Sequence, residues 1–113
     1  MEFSKSLKKN RDFQIVYRCG TSLANRYLVM YVLENELKKN RLGISVSKKV
    51  GNSVVRHRLT RLIRECYRLN ESRFQVGYDI VVIARVSAKD QNYKKIEQAL
   101  LHLGENHKIQ SGR

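Results

Sequence analysis

Proline is absent from the 113-residue chain, and no internal repeat or low-complexity tract divides it. A chain of this length fits one domain with a modest core, expected over residues 1–113 with loose ends at 1–9 and 105–113. There are only two cysteines, Cys19 and Cys66, in neither a C-x-x-C nor a zinc spacing. They read as small buried hydrophobes of a reducing compartment, not as a disulfide. No apolar run approaches the roughly 20 residues of a membrane-spanning helix, and the N-terminus shows no signal-peptide pattern. These absences point to a cytoplasmic protein with no membrane partner.

Acid is scarce as well: 10 Asp and Glu stand against 23 Lys and Arg. Apart from Glu34 and Glu36 in one loop, the acids are scattered, so the paired carboxylates that hold catalytic metals are missing from the sequence pattern. His102 and His107 are not spaced to share one helix face as a metal pair would. Neither G-x-G-x-x-G nor a P-loop occurs. The sequence pattern therefore supplies no catalytic centre and no metal site, which leaves only one assembled in three dimensions.

What is present is positive charge, +13 net, on a chain that is 42% hydrophobic and so able to fold. Its centre is Arg41 to Arg68. Leu42, Ile44 and Val46 alternate with Gly43, Ser45 and Ser47, the period of a half-buried strand. After the turn Lys48-Lys49-Val50-Gly51, Asn52 or Ser53 can cap a helix. Val55, Leu59, Leu62, Ile63, Cys66 and Leu69 gather on its core arc. His57, Arg61, Arg64 and Arg68 share the opposite side, and Arg56 and Arg58 flank the first turn. A helix N-terminus normally recruits acid. This one has arginine there, and Lys48 and Lys49 just before it. Such a site calls for an outside anion, and phosphate suits it.

Along the rest of the chain, Asn10 can cap a short helix over 11–19 that places Phe13, Val16 and Tyr17 on one face. Gly20 to Asn25 reads as a loop. Residues 26–33 form a strand that is apolar on both faces: Leu28, Met30 and Val32 on one, Tyr27, Val29, Tyr31 and Leu33 on the other. Both faces are covered by helices, or one is left for a ligand. Phe13, Tyr17, Val29 and Tyr31 are thus either core or a stacking surface for unpaired bases. Residues 79–85 form a buried strand reached through the basic helix, a crossover that favours parallel pairing. Ser87-Ala88-Lys89-Asp90 resembles the start of a final helix that ends near Gly104. The fold class is α+β, a small mixed sheet packed with helices in the order α-β-β-(β)-α-β-α, where 41–50 has room for two strands. Composition and pattern lead to a basic RNA- or DNA-binding domain with aromatic support.

The run G-I-S-V-S-K-K-V-G-N-S-V-V-R-H-R-L-T-R-L-I-R-E resembles the signature region of the bacterial ribonuclease P protein component. K-K-N-R-D-F-Q-I-V-Y-R-C-G-T-S-L-A-N-R and D-I-V-V-I-A-R extend the resemblance over about residues 5–103. It implies the protein subunit of a ribonucleoprotein that removes 5′ leaders from precursor tRNA. The catalytic RNA performs the Mg2+-dependent hydrolysis, and no obligatory protein partner is implied. By resemblance the RNA-binding set is Lys49, Asn52, Arg56, His57, Arg58, Arg61, Arg64 and Arg68. His57 and Thr60 depart from the Asn and Lys usual at those places in the family. The leader cleft would be lined by Phe13, Tyr17, Val29 and Tyr31, with Lys48 and Arg56 nearby. The family also implies a left-handed crossover between parallel strands, against the general preference. A ribosomal or other structural RNA-binding protein is the alternative.

Overall fold

A computed structural model describes residues 4–109. Its elements are β1 (Ser4–Ser6), α1 (Asn10–Cys19), β2 (Thr21–Ala24), β3 (Leu28–Glu34), β4 (Asn40–Ser45), α2 (Ser53–Leu69), β5 (Tyr78–Ala84) and α3 (Tyr93–Asn106), with short 3-10 turns at Glu71–Arg73 and Val86–Ala88. The strands form one mixed sheet in the order β1-β4-β5-β3-β2. β4 runs parallel to both β1 and β5, while β3 is antiparallel to β5 and β2. The β4-α2-β5 connection is the crossover expected from the strand-helix-strand pattern.

The alternation in β3 decides the layering. Leu28, Met30 and Val32 face the larger core with Leu42, Ile80 and Val82, against Leu59, Ile63 and Cys66 of α2 and Ile96, Leu100 and Leu103 of α3. On the opposite face Val81 packs with Leu7 and Val16, and Phe13, Tyr17, Tyr31, Leu33 and Ile83 are only partly buried around them. Helices therefore lie on both apolar faces, though unequally. Two long helices cover one face, and the 10-residue α1 covers part of the other.

The chain ends are better anchored than expected. β1 pairs Ser4 with Asn40 and Ser6 with Leu42, and Leu7 is buried. A three-residue polar strand has no apolar alternation to betray it. Residues 105–109 are docked too: Ile109 is buried, its carbonyl accepts from Gln75 N at 2.6 Å, and His107 Nε2 lies 2.9 Å from the Met30 carbonyl. The expected loose ends at 1–3 and 110–113 lie outside the described residues. The loop expected at 20–25 is largely strand β2, exposed along its length. It can approach because residue 20 is glycine: a Cβ there would lie 2.7 Å from the Val16 carbonyl oxygen and 2.8 Å from that of Val32. The extra strands are thus β1 and β2, not a division of 41–50.

Four local expectations are corrected. Lys9, not Asn10, occupies the cap position of α1. Asn92 caps α3 by accepting from Lys95 N, and the helix passes through Gly104. In α2, Leu69 is exposed whereas Tyr67 is fully buried. Tyr67 tolerates burial because its hydroxyl meets Ser4 Oγ at 2.9 Å and the buried Asn40 amide at 3.1 Å. Asn40 in turn donates to Gln75 O and accepts from Tyr78 N. Finally, Cys66 is buried but Cys19 is exposed.

Burial, aided by Glu97, pushes the Cys66 thiol up to about 12. Native protein at pH 8 should therefore be alkylated by iodoacetamide at Cys19 and spared at Cys66 until it unfolds. The folded thiol keeps its proton to higher pH than the unfolded one. Its stabilisation is complete below the ordinary value of 9.0 and is lost as pH rises towards about 12. Cys66→Ala should flatten the alkaline decline in melting temperature; an unchanged decline would contradict this burial.

Candidate nucleic-acid interface

α2 begins as the sequence pattern requires. Asn52 Oδ1 accepts from Val55 N at 3.0 Å, and no acid lies in the first turn. Lys48 and Lys49 stand exposed just before it, and His57, Arg61 and Arg64 are exposed along its outer side. No ion pair among the described residues engages Lys48, Lys49, Arg56, Arg61 or Arg64. Arg56 is half-buried, and its Nε is buried with no hydrogen-bond partner. A guanidinium so placed holds its charge at the groove floor without a protein acceptor for that N–H.

The other two arginines of the stripe are engaged. Arg68 holds Glu65 through two contacts of 3.0 and 2.6 Å. The bond from Arg68 keeps the Glu65 carboxyl below its ordinary range. Both side chains are about half exposed, so the pair is weak enough for phosphate to compete. Arg58 turns away from the stripe and donates to the carbonyls of Lys89 and Gln91. Thr60 donates its hydroxyl back to the Arg56 carbonyl at 2.9 Å, within its own helix.

The aromatic residues meet on the thinly covered sheet face. Tyr17 stands edge-on to Tyr31 at 5.0 Å between ring centroids, and Phe13 lies 6.3 Å from Tyr17. Phe13 rests directly on β4 because residue 43 is glycine: a Cβ there would come within 2.6 Å of Phe13 Cζ. Next to α1, Arg41 donates to both carboxylate oxygens of buried Asp79 at 2.8 and 2.6 Å and approaches Asp12 of α1 at 3.7 Å. The Asp79 contact raises the Arg41 pKa further. This bridge ties the first turn of α1, and hence Phe13, to the sheet. Val29 is also half-buried and lies two residues before Tyr31 on the same face of β3.

Two hollows join these surfaces. One, of about 240 Å³, lies between α1 and β4 and is lined by Phe13, Tyr17, Ile44 and Ser45 with Lys8 and Asn10. The second, of about 630 Å³, runs from Ile44 and Ser45 across to Arg56, His57, Arg61 and Arg64. Ile44 and Ser45 line both, so the aromatic cleft adjoins the arginine groove at the end of β4. The sequence reading did not place Lys8, Asn10, Ile44 or Ser45 in the site. The signal lay in β4, where Gly43 and Ser45 are small residues on the strand leading into the basic turn. Gln14 and Arg18 were also missed; with Tyr17 they line a further hollow of about 500 Å³. Among the described residues no group of three or more His, Cys, Asp or Glu comes together that could hold a metal ion. Among the described residues no helix is long and apolar enough to cross a membrane.

The Ribonuclease P family model matches residues 1–108. The ribonuclease P protein component of Lachnoclostridium phytofermentans is 62% identical over 106 residues, 94% of this chain and 91% of that protein. That of Alkaliphilus metalliredigens is 54% identical over 91% of this chain and 93% of its own length. The solved RNase P protein of Staphylococcus aureus superposes with a TM-score of 0.85 at 45% identity, covering 92% of this chain and 95% of that one. These matches do not favour a ribosomal protein. Sequence, fold and the charged crossover helix agree, and the chain belongs to the ribonuclease P protein component family.

Proposed function

We propose that this subunit of ribonuclease P works in tRNA 5′ maturation through two joined RNA surfaces. The stripe on α2 grips the phosphates of the catalytic RNA, with Lys48 and Lys49 extending it. The sheet face with Phe13, Tyr17 and Tyr31 receives the unpaired 5′ leader of precursor tRNA, stacking its bases without demanding a sequence. The observation that carries this reading is the shared wall at Ile44 and Ser45, where the aromatic cleft adjoins the arginine groove. A single strand in the cleft is thereby held next to the RNA bound on α2. Val29 extends the cleft along β3, and Arg56 sits at the junction. Asn52 contributes as the cap that sets where α2 begins.

The hydrolysis itself we assign to the RNA, with Mg2+ serving the holoenzyme. Among the described residues no group of three or more His, Cys, Asp or Glu comes together to match it. The protein's part is to neutralise phosphate and orient the leader, in a cytoplasmic setting and with no obligatory protein partner.

Lys48, Lys49, Arg56, Arg61 and Arg64 alone should give a log–log slope of affinity against salt of about −4.5. Titration of the catalytic RNA with protein across a salt series measures it; a salt-insensitive affinity would contradict the stripe. Phe13→Ala or Tyr31→Ala should weaken leader-bearing precursor by about 1–3 kcal/mol relative to mature tRNA in the holoenzyme. Gly43→Ala should act in the same direction by displacing the Phe13 ring. Equal affinities for precursor in all three variants and wild type would place the leader elsewhere.

A further inference from the structure

Arg58 lies within the basic motif, yet both of its terminal nitrogens are spent on main-chain carbonyls: Nη2 donates to Lys89 and Nη1 to Gln91, the latter at 3.4 Å. These carbonyls belong to the connection between β5 and α3, which is built as a fixed platform. Ala88 is fully buried. Ala88 N bonds Arg85 O, Lys89 N bonds Val86 O, and Gln91 N bonds Ala88 O. The platform is also tied to the turn before β3, because Arg85 N donates to Tyr27 O, Ser87 Oγ to Arg26 O, and Arg85 Nη1 to Asn25 O at 2.6 Å.

What this platform shows to solvent is cationic. Arg26, Arg85 and Lys89 are exposed and enter no ion pair among the described residues. Arg26 lies 5.4 Å from the Tyr27 ring centroid. Val86 is exposed between the two loop cations, and Asp90 is the one acid in the connection. Along α2, a trough of about 790 Å³ approaches the same region. It is lined by Val54 and Leu62 together with Arg58, Arg61 and the Arg68-paired Glu65. Apolar side chains beside guanidinium groups fit sugar and base edges flanked by phosphates, which is the surface of folded RNA.

We propose that Arg58 is a positioning residue: it locks the β5–α3 connection against α2, so that Lys89 and Arg85 continue the RNA-binding stripe onto a second element. This rests on the reading that α2 grips the catalytic RNA. The partner for the added surface is that same RNA, on the side of α2 away from the leader cleft. A fork-shaped guanidinium is needed because two carbonyls are held at once; a lysine ammonium keeps the charge but cannot span them in the same way. If both added cations meet phosphate, the overall salt slope steepens to about −6.

The test is equilibrium binding of the full chain to a bacterial ribonuclease P RNA over a salt series. Lys89→Gln should weaken binding roughly fivefold at 0.15 M salt and make the slope shallower by about one. Arg58→Lys, which removes no charge, should weaken binding at least as much and make the slope shallower by about one to two, since both Lys89 and Arg85 lose their placement. The double variant should be no worse than Arg58→Lys alone, as for residues acting as a unit. Unchanged binding by Lys89→Gln, or an Arg58→Lys variant equal to wild type while Arg58→Gln is weakened, would overturn the proposal and make Arg58 a direct phosphate ligand. Arg61→Gln separates the two levels. If it lowers affinity and slope while Lys89→Gln does not, α2 grips the RNA but the surface stops there; if neither changes, the wider reading fails as well. Lys89→Gln leaves the Arg58 clamp to the main chain in place, so it decides the matter even if Arg58→Lys lowers the melting temperature.

Discussion

The constraint on which the structure depends is a five-stranded sheet that is apolar on both faces, in a chain too short to cover both equally. α2 and α3 close one face completely, and Leu59, Ile63, Leu100 and Leu103 lose all solvent contact there. Only α1 remains for the other, and its 10 residues cannot seal it. The aromatic residues along its edge are therefore half-buried, held in place yet open on one side. This is the condition a stacking surface needs: rings fixed by neighbours, at little entropic cost, and still reachable by a base. Gly43 adds to it by letting Phe13 sit directly on the strand.

Charge is distributed with the same economy. Three of the acids fix architecture. Asp79 and Asp12 hold Arg41 and so orient α1; Glu97 accepts from Asn70 at the end of α2 and from Tyr93 on α3. Glu65 alone meets a cation of the stripe, and that pair is exposed. Among the described residues Arg56, Arg61 and Arg64 are thus left without an ion pair, and Arg56 lies close to the helix N-terminus, which already carries positive dipole charge. Self-repulsion of this kind is offset when polyphosphate binds, so the site that costs stability in isolation is the one that gains most from its partner.

Much of this was legible in the sequence because it is periodic. The alternation in β3 and β4, the near-continuous apolar run of β5, and the Asn52 cap followed by a helical stripe each repeat often enough to be read. The junction at Ile44 and Ser45 was not, since it is made by strand and helix meeting in space. β1 and β2 escaped because SKS and TSLA are short edge strands, held by main-chain pairing more than by their side chains. The docked tail depends on Ile109 and one histidine contact, with no pattern behind it. Tyr67 replaced Leu69 in the core because its hydroxyl has two partners from distant strands. Arg58 and Arg61 look equivalent in sequence; only the position of the Lys89 and Gln91 carbonyls distinguishes them.

The central claim is that the protein contributes a leader-holding cleft beside an RNA-gripping helix and leaves the cleavage to RNA. The most direct measurement is precursor-tRNA cleavage at low magnesium by protein alone, by a bacterial ribonuclease P RNA alone, and by both. It should be run on one substrate with a long leader and on another trimmed to a single leader nucleotide. The account predicts no cleavage by protein alone, and stimulation of the RNA at the mature 5′ end that is strong for the long leader and much weaker for the trimmed one. Equal stimulation of the two substrates would contradict the cleft. Cleavage by protein freed of RNA would contradict the division of labour itself.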